Sequence, residues 1–400
     1  MSTLKFPSPK IPSSALLESL SNSSFEPSSI PSILDVQNRI FTTSGRASIA
    51  LALKHAGIKK EDEVLIPAYH CEAMVAPAKW RQAQIVFYRI NPDTSAQLED
   101  IAAKITSKTR AILVTHYFGF EQPLQNIKEL CEKHNMILIE DCAHAMFGIS
   151  SGKGIGTTGD YAIGSCMKFL PIYEGGMLCS SKQNLDGISL SPPSVKFQLK
   201  SAANTLEASI NYNRLGRLGR LGQSAKLFLK TKDIIWNLLK NSPLGQDDVK
   251  LGPSSSEGGF GLDEAWIHKK ISWFSLQIIR HSTLEKVAKQ RQQNYLSMLS
   301  TLTNLPNCRV LFKTLPEHTV PWVFPIYVDD PDRFFQPLKM QGVPVWRFGE
   351  FLDKTVTKEV CPISVEYSKH IFQFPCHQSL TANDIEWMLN KIKAIFTQQS

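Results

Sequence analysis

Arg110-Ala111-Ile112-Leu113-Val114-Thr115-His116-Tyr117-Phe118-Gly119, then Leu124–His134, then Met136-Ile137-Leu138-Ile139-Glu140-Asp141: this stretch decides the fold. Two apolar runs, each closing on polar residues, flank a segment with amphipathic helical spacing. Upstream the same alternation recurs. A strand at Glu63–Pro67 ends in the loop Ala68-Tyr69-His70-Cys71, and a helix over Ala73–Trp80 leads to a strand at Gln84–Tyr88. A helix over Leu98–Ile105 completes the series. Strands that stay apolar along their length are buried on both faces, so the pattern predicts a parallel sheet covered by helices on either side. Ligands of such sheets bind beyond the carboxyl ends of the strands. Tyr69-His70, His116 and Asp141 fall there.

Outward from this core lie two further segments of chemical interest. Ser44-Gly45-Arg46 precedes the helix-forming run Ala47–Leu53. A Ser-Gly helix start offers free backbone N–H groups, a hydroxyl and the positive end of the helix dipole, which together attract a phosphate. Plain N-capping accounts for the same residues. Downstream, Gly159–Gly176 sets Lys168 among small and apolar residues and ends in Glu174-Gly175-Gly176. Desolvation disfavours an ammonium, so a lysine in such a place has a lowered pKa and becomes a usable amine nucleophile. Phosphate-type helix start, acid at a strand end, lysine beyond it: pyridoxal 5′-phosphate needs these three. The lysine forms the Schiff base, the carboxylate keeps the pyridine nitrogen protonated, and backbone amides hold the phosphate. Tyr69 and His70 are the candidates for covering the ring.

Composition is compatible with this. The chain has 400 residues, 42% of them hydrophobic, enough for a sizeable core. Its net charge of +8 suits anionic ligands but is not the dense footprint of a nucleic-acid binder. Eight cysteines are scattered with no CxxC pair and no metal-like spacing, which suits reduced thiols in a cytosolic enzyme and predicts no metal site. Neither an uninterrupted apolar run of membrane-spanning length nor a signal-peptide core is seen, so a soluble cytoplasmic protein is expected.

Four regions are expected. Residues 1–40, rich in Ser and Pro, read as an N-terminal arm. Residues 41–182 form the large domain. Residues 183–262 read as a helical, basic insertion, with the repeat Arg214-Leu215-Gly216-Arg217-Leu218-Gly219-Arg220-Leu221-Gly222 and a helix over Ala225–Lys240. Residues 263–400 supply a helical stretch from Asp263 to about Leu302, strands at Val320–Val328 and Pro344–Trp346, and a closing helix Thr381–Phe396 capped by Thr381 and Asp384. A small α/β domain is expected from about residue 275. The basic insertion is read most simply as a helical unit packed on its own subunit or across a dimer. The other readings are contact with an acceptor's diphosphate, with a partner, or, weakly and through residues 210–245, with an anionic membrane surface.

The sequence is similar to the DegT/DnrJ-type sugar aminotransferases of fold type I. The likeness rests on Ser44-Gly45-Arg46-Ala47, Val114-Thr115-His116-Tyr117-Phe118-Gly119, Ile139-Glu140-Asp141-Cys142-Ala143-His144-Ala145 and Lys168-Phe169-Leu170-Pro171-Ile172-Tyr173-Glu174-Gly175-Gly176. It runs from about residue 40 to 180, with a weaker echo at Pro375–Thr381. The resemblance implies a large domain with a mostly parallel sheet between helices and a smaller C-terminal α/β domain. It implies pyridoxal 5′-phosphate as cofactor, with Lys168 as the Schiff-base lysine and later proton carrier. Asp141 would pair with the pyridine nitrogen, His144 would contact the ring oxygen, and Ser44, Gly45 and Ser165 would hold the phosphate.

Departures bear on the substrate. Arg46 stands where the family usually has Thr, and Cys71 stands near a position that is often aromatic. Arg347, in Val345-Trp346-Arg347-Phe348, is a candidate for a donor carboxylate or an acceptor phosphate, or else for a structural salt bridge. The activity implied is transfer of an amino group from an amino acid, glutamate by analogy, to a keto sugar carried on a nucleotide, in polysaccharide biosynthesis. The pocket would lie at a homodimer interface. Rival readings are a pyridoxal-phosphate enzyme with another acceptor, and a non-catalytic scaffold. The presence of Lys168 argues against a sugar dehydratase.

Overall fold

The computed structural model describes residues 6–17, 29–150, 152–215 and 261–398. In chain order the large-domain strands are β1 (Arg39–Thr42), β2 (Glu63–Pro67), β3 (Gln84–Tyr88), β4 (Thr109–Thr115), β5 (Ile137–Cys142), β6 (Ile149–Ser150), β7 (Lys153–Gly154), β8 (Tyr161–Ser165) and β9 (Gly176–Cys179). The helices among and after them are α1 (Gly45–His55), α2 (Glu72–Trp80), α3 (Leu98–Lys104), α4 (Gln125–His134) and α5 (Val195–Asn211). One seven-stranded sheet runs β1-β9-β8-β5-β4-β2-β3, and β6 pairs only with β7. Neighbours from β3 to β8 are parallel, whereas β8–β9 and β9–β1 are antiparallel. The expected, mostly parallel sheet is therefore present.

Its two faces explain the unbroken apolar strands. Ile112 and Val114 of β4 pack with Ile101 of α3 and with Ile127 and Cys131 of α4. The alternate residues Ala111 and Leu113 share a core with α1 and α2. Register then delivers the acid: Ala111 pairs with Ile137 and Thr115 with Asp141, so Asp141 sits at the carboxyl edge between β4 and β8.

The remaining elements are α6 (Trp273–His281), α7 (Leu284–Leu302), β10 (Cys308–Val310), β11 (Val323–Val328), α8 (Pro331–Met340), α9 (Pro362–His370), β12 (Ile371–Pro375) and α10 (Ala382–Thr397). β10, β11 and β12 form a small antiparallel sheet, giving the expected C-terminal α/β unit. The closing helix has the anticipated capping box, Thr381 with Asp384.

Two expectations need correction. The helical stretch from Asp263 is broken: a 3-10 turn at Glu264–Trp266 precedes α6, and Ser282-Thr283 separates α6 from α7. The break before α6 has a tertiary cause. Ser272 caps α6 by accepting from the Ser275 N–H and donates its own hydroxyl proton to Glu174 at 2.6 Å. Pro344–Trp346 is not a strand; Trp346 makes one isolated bridge with Gln373.

The described residues 10–16 of the arm lie against the C-terminal domain, while Ser32 and Ile33 donate hydrogen bonds to the Met146 carbonyl of the large domain. Lys10 N–H donates to the Gly342 carbonyl at 2.9 Å, and Leu16 N–H donates to Ser379 Oγ at 2.9 Å. Most of the basic repeat and the helix expected over Ala225–Lys240 lie outside the described residues. Arg214, at the edge of that stretch, pairs with Asp384. All eight cysteines are unpaired. Among the described residues no helix is long and apolar enough to cross a membrane.

Candidate active site

A cavity of about 800 Å3 opens at the carboxyl edge of the sheet, between the large domain and the C-terminal sheet. Ser44, Gly45, Arg46, Asp141, His144, Ser165, Lys168 and Arg347, all singled out from the sequence, line it. Residues separated by more than a hundred positions are thus brought together by the sheet order.

Ser44, Gly45 and Arg46 form the start of α1. Ser44 Oγ accepts from the Ala47 N–H at 3.3 Å, so it does cap the helix. The cap leaves the positive helix end directed at the cavity, and the first-turn N–H groups of a helix have no intrahelical acceptor. Capping and anion binding are here compatible. The Glu-Gly-Gly turn fixes this corner. A Cβ on Gly176 would lie 2.2 Å from the Ser44 carbonyl carbon, so only glycine lets β9 pack against the helix start. Arg46 is buried and donates to the Gly261 carbonyl, and burial lowers its pKa.

Lys168 closes a 3-10 turn, Cys166–Lys168, directly after β8. Its Nζ lies 4.7 Å from the centre of the Trp322 ring. Among the described residues it makes no hydrogen bond or ion pair. Burial pushes its pKa down, Arg46 adds to this, and the nearby Cys71 and Asp141 oppose it. The net effect is a lowered pKa, which makes the neutral amine more accessible than in a free lysine. Asp141, 2% exposed, accepts from the Ala143 N–H at 3.0 Å. Burial raises its pKa, against the pull of that N–H and of Lys168. It is a carboxylate in want of a cation.

His144 stacks on Trp322 with centroids 4.0 Å apart and meets Phe348 edge-on at 4.7 Å. Its Nδ1 is buried without a partner among the described residues. Burial and the nearby Lys168 push its pKa well below the usual histidine value, so the ring is neutral. Helix start, needy carboxylate, orphaned imidazole nitrogen and unbonded amine all border one space. Together they match the donor set that pyridoxal 5′-phosphate requires.

Tyr69 and His70 are placed elsewhere. Tyr69 is fully buried among Tyr117, Phe118, Phe348 and Tyr367. His70 stacks on Phe87 with centroids 4.7 Å apart; its Nδ1 faces the Ala68 carbonyl at 2.9 Å and its Nε2 accepts from the Asp353 N–H at 3.0 Å. Burial lowers its pKa to about 4. The residue of this loop that lines the cavity is Cys71. Neither Tyr69 nor His70 is positioned to cover a ring in the cavity. Arg347 borders the cavity, but its guanidinium leans over the Phe335 ring at 4.1 Å and pairs with Glu350 at 3.5 Å.

Sequence reading missed the far wall, made of Trp322, Trp346, Phe348 and Gln373. It also missed Arg291 of α7. This guanidinium, fully buried, donates to the carbonyls of Lys168 (3.1 Å), Phe169 (3.2 Å), Pro321 (3.2 Å) and Trp322 (2.9 Å) and to Gln378 Oε1 (2.9 Å). One arginine thus ties the lysine turn to the aromatic wall. A charged residue on a long polar helix gives no local sign of such a role.

Among the described residues His116, Glu140 and Cys142 also cluster. Glu140 accepts from the N–H groups of Gly156, Thr158 and Gly159, and His116 Nδ1 accepts from the Gln122 N–H. These bonds make the cluster a support for the loop before β8.

The fold is that of the fold type I aminotransferases. The aminotransferase TlmJ from Streptoalloteichus hindustanus superposes with a TM-score of 0.61 at 20% identity, covering 90% of this chain and 85% of that one. A DegT DnrJ EryC1 StrS aminotransferase from Brucella abortus gives 0.61 at 18% identity, covering 91% and 87%. Residues 18–212 match the DegT/DnrJ/EryC1/StrS aminotransferase family, which bears out the resemblance read from the sequence. GDP-perosamine synthase from Vibrio cholerae is 33% identical over 151 residues, 37% of this chain and 41% of that protein. dTDP-4-dehydro-2,3,6-trideoxy-D-glucose 4-aminotransferase from Saccharopolyspora spinosa is 31% identical over 155 residues, 38% and 40% of the two chains. The aligned segment spans about two fifths of each of these relatives.

Proposed function

We propose that this protein is a pyridoxal-phosphate-dependent aminotransferase that moves an amino group from an amino acid, glutamate by analogy, to a keto sugar carried on a nucleotide. The observation that carries the reading is the convergence of Lys168, Asp141, His144 and the α1 N-terminus on one cavity. Two relatives are named for such acceptors, L-glutamine:2-deoxy-scyllo-inosose aminotransferase from Streptomyces kanamyceticus and dTDP-4-dehydro-2,3,6-trideoxy-D-glucose 4-aminotransferase from Saccharopolyspora spinosa, and they support the acceptor class.

When bound, pyridoxal 5′-phosphate supplies an aldehyde carbon for covalent attachment and a ring that takes up the electron pair of a deprotonated carbon. The chain's residues do the rest. Ser44, Gly45, Arg46 and Ser165 would hold its phosphate at the positive end of α1. Asp141 would hold a proton at its ring nitrogen. His144, neutral, would contact its ring oxygen. Lys168 Nζ would carry the proton between the donor's α-carbon and the acceptor's former carbonyl carbon. Its lowered pKa suits a proton carrier. The net exchange balances: amino acid and keto sugar become 2-oxo acid and amino sugar.

A homodimer forms part of the proposal. Val195 and Leu199 of α5 and Trp273 of α6 are 75%, 63% and 65% exposed, an apolar row suited to a subunit contact. The setting proposed is polysaccharide biosynthesis in the cytoplasm.

The test is an acceptor screen. Holoenzyme and glutamate are incubated with GDP-, dTDP- and UDP-linked keto sugars, and 2-oxoglutarate and amino sugar are measured together. One-to-one formation with at least one acceptor is expected. Glutamate consumption with none of them would reject the sugar reading while leaving the donor half in place.

A further inference from the structure

β12 carries a buried amide that nothing among the described residues satisfies. Gln373 is 0% exposed, and neither Oε1 nor Nε2 has a hydrogen-bond partner among them. Exchanging the two amide atoms changes nothing, since both are orphaned. Such a group bears its full desolvation cost with no return, and an unpaired buried polar atom in a cavity wall calls for a ligand.

The backbone shows where this amide faces. Gln373 N–H donates to the Trp346 carbonyl at 2.9 Å and Trp346 N–H donates to the Gln373 carbonyl at 3.3 Å. Residues paired in this way project to one face of the sheet, as do alternate residues along a strand. Gln373 therefore shares a face with Trp346, with Pro375 two residues on, and with Val323, the partner of Pro375. All four line the cavity that holds Lys168. Phe372 and Phe374 take the opposite face and belong to the core. Trp322 stands beside Trp346, ring centres 6.4 Å apart.

We infer that Gln373, with the indoles of Trp346 and Trp322, forms the acceptor subsite that reads adjacent hydroxyl groups on a saturated ring. The inference rests on the aminotransferase reading and names the part of the acceptor that this wall recognises. A primary amide offers donors and an acceptor side by side, and a hydroxyl offers both in return. Of the neighbouring titratable groups, Arg347 lies over Phe335, with its Nε without a partner among the described residues, and both nitrogens of His377 are engaged, with Pro12 O and the Ser379 N–H. Flat indole faces beside a polar anchor suit the C–H face of a sugar ring.

Two variants test this. Gln373→Met keeps the shape and removes the polar atoms; Gln373→Glu keeps the acceptor and removes the donors. Two probe acceptors share a nucleotide: dTDP-4-dehydro-6-deoxyglucose, with hydroxyls at C2 and C3, and dTDP-4-dehydro-2,3,6-trideoxyglucose, without them. For Gln373→Met, KM for the hydroxylated probe should rise about tenfold with kcat within about twofold, and KM for the deoxy probe should stay within about twofold. Gln373→Glu should show the same preference more weakly. The melting temperature of Gln373→Met should equal or exceed that of the wild type, because an orphaned pair is removed. Bleaching of the bound cofactor by glutamate should be unchanged. Equal effects on both probes, or none on the hydroxylated one, would overturn the subsite. So would a wild type that bleaches with glutamate yet neither converts nor binds the hydroxylated probe. A protein that binds no cofactor would instead reject the reading beneath it.

Discussion

On one wall of the cavity, built by residues 44–46, 141–144 and 165–168, charged and polar groups sit where secondary structure ends: a helix start, a strand end, a turn after a strand. On the facing wall, built by Trp322, Trp346, Phe348 and Gln373, aromatic surface surrounds a single unpaired amide. The first wall holds groups whose chemistry a cofactor needs at fixed points. The second offers shape and, in Gln373, an amide without a partner among the described residues, which suits a substrate that must enter and leave. One buried residue joins the walls: Arg291 ties the Lys168 turn to Trp322. Outside both walls, His70 ties the loop after β2 to Asp353. The difference teaches that reaction and selectivity are separable here, and that their mutual geometry rests on a few buried polar contacts.

Variants of the two walls should therefore fail in different ways. Lys168→Ala removes the proton carrier and the attachment point, and should lower amino transfer by about 10³–10⁴-fold while leaving the fold intact. Circular dichroism and single-turnover assays check both halves of that statement. Arg291→Met strikes the tie. It leaves the carbonyls it served unpaired, and should cost about 4 kcal/mol of stability, read from the shift in urea midpoint at unchanged slope. Loss of activity without loss of stability would mean that Arg291 is not a tie.

His70 gives a pH signature. The unfolded chain protonates this imidazole near pH 6.5, whereas the folded chain keeps it neutral down to about 4. The unfolded state then binds more protons in that window, so stability falls as pH drops from 6.5 to 4 and is flat in this contribution above it. Glu174, raised to about 7, acts in the opposite sense between 4.5 and 7, so the difference between wild type and His70→Gln is the quantity to follow. That difference should change by about 3 kcal/mol in denaturant titrations across the window. A difference independent of pH would remove His70 as a neutral tie.

Asp141→Asn should lower the rate about 10²-fold and weaken cofactor retention on dialysis, since an amide cannot hold the ring proton. Arg347→Met gives the smallest change: stability within about 1 kcal/mol and KM for glutamate within about threefold, because its guanidinium leans on Phe335 and, among the described residues, pairs with a half-exposed Glu350. A large rise in the glutamate KM would return Arg347 to the donor's carboxylate.

The first wall was legible because each of its parts is local in sequence. Ile137–Cys142 announces a buried strand by its apolar run and ends in the acid. Ser44-Gly45 announces a helix start. Lys168 stands apart from its apolar neighbours. The second wall gives no such sign. Trp346 and Gln373 meet through one bridge across 27 residues, and β12 is too short and too mixed to stand out. The loop after β2 shows the limit at finest scale. Its carboxyl-edge position was readable, but which of Tyr69, His70 and Cys71 faces the ligand depends on backbone direction, and Cys71 takes that place. The single helix expected from Asp263 failed for a similar reason: Glu174, almost a hundred residues earlier, holds Ser272 as a cap.

The proposed role of Lys168, to hold pyridoxal phosphate while an amino acid discharges its amine there, can be read from the visible absorbance of the purified protein. The protein is supplied with pyridoxal phosphate and measured before and after glutamate, beside Lys168→Ala. The wild type should show a visible band of lysine-bound cofactor that bleaches with glutamate, and the variant should lack it. A wild type that takes up no cofactor, or a variant with the same band, would contradict that role.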